Sequence, residues 1–137
     1  MFAILLLVIS ILPNIDSKSD KLSQETKVVD TTGVPKENKY ETQLKLDKNT
    51  SNEIKLNWDS IDQVDGYIIS RSISYEGEYE VVYTSESKDI VTYTDAELNS
   101  GSEYYYKINT YIAENNKKIY GPDSEVCITY TITSRPI

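Results

Sequence analysis

The stretch Leu98-Asn99-Ser100-Gly101-Ser102-Glu103-Tyr104-Tyr105-Tyr106-Lys107-Ile108 constrains this chain more than any other. A Leu, a Gly three residues on and a Tyr three further on lead into a strand of alternating character. That spacing suits the corner of a β-sandwich: an apolar plug, a tight turn, then a Tyr whose ring packs inward while its hydroxyl bonds nearby backbone. The corner makes the architecture legible and leaves the ligand open.

From Tyr40 onward the apolar period is two, not 3.6. Leu44 and Leu46 alternate with Gln43 and Lys45, and residues 47–52 carry turn chemistry. Ile54, Leu56 and Trp58 alternate with Lys55 and Asn57. A polar loop over 59–65 closes at Gly66, after which Tyr67, Ile69 and Arg71 share one face. Arg71 is expected to lay its stem over the sheet end with its head in water. Glu76-Gly77 makes a turn before Tyr79, Val81 and Tyr83. Val91 and Tyr93 mark a short strand. Tyr104, Tyr106 and Ile108 point inward on the next, with Tyr105, Lys107, Asn109 and Tyr111 outward. Asn115-Asn116 turns the chain. The last strand sets Val126, Ile128, Tyr130 and Ile132 inward against Cys127, Thr129 and Thr131. Seven short strands with turns between them predict an all-β, antiparallel, immunoglobulin-like sandwich. The expected core is Leu56, Trp58, Tyr67, Ile69, Tyr93, Leu98, Tyr104, Tyr106 and Ile108.

Four segments then resemble a fibronectin type III domain of the bacterial extracellular type. Leu56-Asn57-Trp58 is similar to that family's strand-B tryptophan motif, and Val64-Asp65-Gly66-Tyr67-Ile68-Ile69-Ser70-Arg71 to the start of strand C. Tyr93-Thr94-Asp95 with the Leu98–Tyr104 corner resembles the E–F segment, and Tyr120-Gly121-Pro122-Asp123-Ser124-Glu125-Val126 the opening of strand G. The four occur in the family's order over residues 40–134. The resemblance implies two antiparallel sheets, of three and four strands, and non-catalytic work as a spacer, adhesion or ligand-binding module. No Arg-Gly-Asp triplet is present, so integrin binding is not implied.

Ahead of the domain, residues 1–12 form an apolar run of signal-peptide length, shorter than a spanning helix needs. Residues 1–17 are therefore expected to be a signal peptide or an N-terminal hydrophobic anchor, although no Lys or Arg precedes the run. Residues 18–39 are polar and poor in large apolar groups, which predicts a flexible linker. The sandwich is expected over 40–135. Secretion or display at the cell surface follows, with membrane contact only through the N-terminal segment.

Charge narrows the partners. Residues 1–39 balance five Lys against five acidic residues, so the whole net charge of −8 belongs to the remainder. An acidic domain is repelled by phosphate backbones, which argues against nucleic acid. The chain contains no His, which removes the commonest general base and metal ligand. One Cys excludes an intrachain disulfide.

Four constellations invite a chemical reading. Asp59, Asp62 and Asp65 sit on one loop, but at intervals of three, unlike a calcium loop. Glu76, Glu78, Glu80 and Glu86 lie on a predicted edge hairpin, where charge discourages strand pairing. Cys127 is expected to face outward as a free thiol, without a His to activate it. No enzyme, cofactor or metal site is expected. The exposed aromatics are more informative. Tyr75 near a turn, with Tyr105 and Tyr111 on the outward side of a strand, are candidate ligand-facing rings for a protein or glycan partner. The reading is a monomeric binding or adhesion module, or alternatively a structural spacer or a fragment of a larger secreted multidomain protein such as a carbohydrate-active enzyme.

Overall fold

The computed structural model describes residues 36–134. The expected signal or anchor segment, residues 1–17, and the linker up to residue 35 lie outside the described residues, as does position 135.

Eight strands follow one another without a helix among the described residues: β1 Lys45–Asn49, β2 Ile54–Asn57, β3 Gly66–Ser72, β4 Glu80–Ser85, β5 Thr92–Asp95, β6 Glu103–Glu114, β7 Lys117–Tyr120 and β8 Cys127–Tyr130. One sheet has the order β1-β2-β5. The other runs β4-β3-β6-β7, with β8 pairing the first half of β6. All pairings are antiparallel. Strand β7 falls between the Asn115-Asn116 turn and Gly121, where no strand was expected, and the expected last strand is β8, so seven expected strands appear as eight.

The core lies between the sheets. Ile54, Leu56 and Trp58 from the small sheet meet Tyr67, Ile69, Tyr104, Tyr106 and Ile108 from the large one. Trp58 and Tyr67 pack edge to face with ring centroids 5.5 Å apart. Tyr93 is half-buried against this core and stacks on Tyr83, 4.6 Å away. Burying an aromatic body of this size contributes about 2–3 kcal/mol before entropy is counted. At the corner, Leu98 is buried, Gly101 takes φ +61°, and the Asn99 N–H donates to the Tyr104 hydroxyl at 2.9 Å. The Asn115-Asn116 turn has φ of 53° and 64°, the left-handed pair of a tight hairpin.

Several expectations need correction. Strand β1 runs on to Asn49 through a register shift between Leu46 and Lys48, where a turn was expected, and Leu46 is exposed while Leu44 is buried. In β4 a register shift opposite Ile69 and Ser70 breaks the alternation. Val81 then faces solvent, and Val82 and Tyr83 pack on the core. Packing contacts also reach back before position 40. Asn38 is buried, and its amide donates to Thr110 Oγ1 and to the Ile119 carbonyl, each at 3.0 Å.

The largest correction concerns β8, whose phase is inverted. Thr129 and Thr131 are buried, whereas Ile128, Tyr130 and Ile132 are 56%, 57% and 47% exposed. Thr131 explains the choice. Its hydroxyl donates to the Asn99 carbonyl and accepts the Ser102 N–H at 3.0 Å, serving both sides of the corner turn. An Ile there would leave those polar groups without a partner. Cys127 shares the inward phase and packs half-buried on the core, not outward, and burial pushes its thiol pKa up.

Candidate binding face

The outward face of the large sheet collects the candidates. Antiparallel partners point to the same side, so Ser72, Tyr105 and Ile128 form one row across β3, β6 and β8, and Glu103 with Tyr130 forms the next. The β3–β4 turn brings Tyr75 onto this row. That turn is tied by Gly77 N–H donating to the Ser74 carbonyl at 3.2 Å and by the Tyr79 hydroxyl donating to the Tyr75 carbonyl at 2.8 Å. Tyr75, 53% exposed, meets Tyr105 edge to face with centroids 6.2 Å apart and planes at 82°.

Beside these rings lies an open trough of about 700 Å³. Tyr75, Glu76, Tyr79, Lys107, Glu125 and Ile128 line it. Lys107 Nζ stands 4.5 Å from the Tyr79 ring centre and 3.3 Å from Asp123 Oδ2. Asn109 donates to the other Asp123 oxygen at 2.8 Å. That bond, then Lys107, holds the Asp123 carboxyl below its ordinary pKa. The Tyr105 hydroxyl donates to Glu103 at 2.7 Å, which raises its pKa.

Two of the three candidate aromatics are thus brought together. The third is not among them. Tyr111 is only 3% exposed, contrary to its expected outward position. Its partner across the ladder is Gly66, which has no side chain. The phenol lies over that gap and donates to the Ser85 carbonyl on β4 at 2.9 Å. Desolvation raises its pKa. A Cβ on Gly66 would meet the Tyr111 hydroxyl at 2.6 Å and collide with the Ser85 carbonyl.

The three loop aspartates are accounted for by ordinary pairing. Asp59 meets Lys45 at 2.9 Å, Asp62 meets Lys88 at 3.2 Å, and Asp65 accepts the Ala113 N–H at 2.7 Å. Among the described residues no group of three or more acidic or thiol side chains is placed to hold a metal ion. Strand β4, which follows the acidic turn, is an edge of the large sheet.

One polar cluster escaped the sequence reading. The Arg71 head is paired and only partly exposed, not simply solvated as expected. Its Nη1 bonds both oxygens of buried Asp95, at 3.1 and 2.9 Å, and its Nη2 bonds Glu80 at 3.1 Å. The Tyr106 hydroxyl donates to Asp95 at 2.8 Å. Burial opposes the charge on Arg71, but the bonds to Asp95 outweigh it and raise its pKa. Burial raises the Tyr93 hydroxyl to about 12 and pushes Tyr106 up further. The signal was present: Asp95 falls in phase with Tyr93, and Arg71 in phase with Ile69. Two opposite charges on inward phases predict a pair. The cluster joins β3 to β5, one strand from each sheet, and is structural.

No protein-family model and no curated protein matches the sequence. Solved structures do. The fibronectin type III domain of human fibronectin type III domain containing protein 3 aligns with a TM-score of 0.57 at 17% identity, over 74% of this chain and 93% of that one. The sixth such domain of the same protein aligns with a TM-score of 0.54 at 19% identity, over 69% and 86%. A β-1,2-glucanase from Parabacteroides distasonis aligns with a TM-score of 0.57 at 21% identity, over 69% of this chain but only 13% of the glucanase. Corner, interleaved core and sheet order belong to one architecture, and the chain has a fibronectin type III-like fold.

Proposed function

We propose that the chain is a non-catalytic, extracellular binding or adhesion module that engages its ligand through the Tyr75–Tyr105 face. The inverted phase of β8 carries this reading. A solvated sheet face is ordinarily polar. Here Ile128 stands exposed in the Tyr105 row and Tyr130 in the next, while Thr129 and Thr131 point in. Contiguous exposed aromatic and apolar groups rimmed by charge are characteristic of interaction surfaces. The sequence offers no His, and its lone thiol is half-buried with a raised pKa, so no nucleophile–base pair favours catalysis. Export rests on the apolar N-terminal run; N-terminal sequencing of the mature product tests it. The domain acts as a monomer in this reading, which sedimentation checks.

A second reading has its own support. The glucanase shares this architecture over a small part of its length. By that analogy the chain is a spacer or a fragment of a larger secreted enzyme. A screen of the full chain against surface proteins and oligosaccharides separates the two. The binding reading expects saturable binding that Tyr75→Ala and Tyr105→Ala weaken. Indifference of every probe to both variants leaves the spacer, and turnover of any polysaccharide sinks the non-catalytic reading.

A further inference from the structure

The rim of the trough narrows the ligand class. Glu76 and Glu125 line it, and among the described residues neither carboxylate has an ion-pair partner. Lys107, the cation in the lining, is already held by Asp123 and lies against Tyr79. It shows what this surface does to an ammonium: a ring on one side, a carboxylate on the other. The same pair of groups is on offer to a ligand at Tyr75, whose ring is half-exposed and next in sequence to Glu76.

Ring geometry disfavours a flat sugar. A pyranose stacks best on coplanar, open ring faces. Tyr75 and Tyr105 stand at 82° to each other, and the Tyr79 face is taken by Lys107. A second copy of the chain is also a poor fit, because each brings a net charge of −8.

We infer that the trough takes a cationic polypeptide segment. A Lys or Arg side chain lies over Tyr75 with Glu76 and Glu125 as counter-charges, and its aliphatic stem runs along Val126 and Ile128. This identification rests on the Tyr75–Tyr105 face being the binding surface.

Decalysine titrated into the full chain tests it, with decaglutamate and cellohexaose as comparators. Saturable binding of decalysine alone is expected, weakening as salt is raised. Tyr75→Ala and the double swap Glu76→Lys/Glu125→Lys should each weaken it about tenfold or more. Asp62→Lys/Asp89→Lys makes the same change in net charge on loops at the opposite end of β3 and should cost under about threefold. Unchanged Trp58 emission confirms that each variant is folded. Equal losses from both double swaps mean diffuse charge attraction and overturn the proposal. Cellohexaose binding that needs Tyr75, with decalysine indifferent to it, overturns the cationic class and leaves the binding face standing. Indifference of all three probes to Tyr75 and Tyr105 overturns the proposal here and removes its foundation in the binding face.

Discussion

Separating Arg71 from Asp95 is expected to uncouple the two sheets, and the geometry sets the size of the loss. Exposed ion pairs contribute about 0.2–1 kcal/mol, whereas breaking a fully buried pair costs about 3–5 kcal/mol. This pair is intermediate: the Asp95 side chain is 6% exposed and that of Arg71 23%. In Asp95→Leu the guanidinium keeps Glu80 and a route to water, but the buried Tyr106 hydroxyl loses its acceptor. The cost is about 2–3 kcal/mol. In Arg71→Met the carboxylate is left with the Tyr106 hydroxyl and a long 3.4 Å bond from Tyr93. That variant loses about 3 kcal/mol. The double variant buries no charge and recovers part of the sum, for a coupling of about 1.5–2.5 kcal/mol.

For a domain of this size 1 kcal/mol moves Tm by about 4–8 °C, so each single variant should melt about 10–20 °C lower. Guanidinium unfolding followed by Trp58 fluorescence reads all four corners of the cycle. The chain has one Trp, and it lies in the core beside Tyr67. Additivity within about 0.5 kcal/mol, or single variants that stay within about 0.5 kcal/mol of the parent, would show that the cluster is not a bridge between sheets.

Other outcomes follow from the same structure. Gly66→Ala should cost about 3 kcal/mol or more in the same unfolding assay, because its methyl collides with the Ser85 backbone; Tyr111→Ala in that background should recover only part, and a cost below about 1 kcal/mol would contradict the packing. Folded-state pKa values of Tyr93 and Tyr106 lie above the unfolded value near 10, so stability is intact below pH 10 and is lost as pH rises from there, through about 12 for Tyr93 and further still for Tyr106. Tyrosinate absorbance should therefore rise in two phases, the second coinciding with unfolding; one smooth phase near pH 10 is the contrary result. In melts followed by circular dichroism, Trp58→Phe should cost well under the about 3–5 kcal/mol of Trp58→Ala, since among the described residues the buried indole N–H has no partner to lose, and equal losses would show otherwise. Cys127 should react with a thiol reagent slowly in the native state and at once in denaturant; equal rates would place it outside the core.

Much of the fold was readable because it is local. The Leu98-Gly101-Tyr104 spacing, the Ile54-Leu56-Trp58 alternation and the Asn115-Asn116 turn each concern neighbours within a few residues. What escaped reading depends on partners far along the chain. Arg71 and Asp95 are 24 positions apart, and although each inward phase is legible by itself, their meeting becomes so only when the two strands are considered together. The residue opposite Tyr111 is Gly66, so a ring on a nominally outward phase found a hole to cover. Strand β8 teaches the most. The run Ile128-Thr129-Tyr130-Thr131-Ile132 alternates cleanly, and alternation defines two faces without saying which is buried. Apolar content favours one phase, while the backbone of the distant corner, which needs the Thr131 hydroxyl, favours the other. The phase adopted is the one that gives the Thr131 hydroxyl and the corner backbone their partners, which a buried turn would otherwise lack at a cost of about 1–3 kcal/mol per group. The apolar row is turned outward next to Tyr105 as a result. The feature that defeats a sequence-based assignment of the strand is thus the same one that gives the domain its candidate binding face.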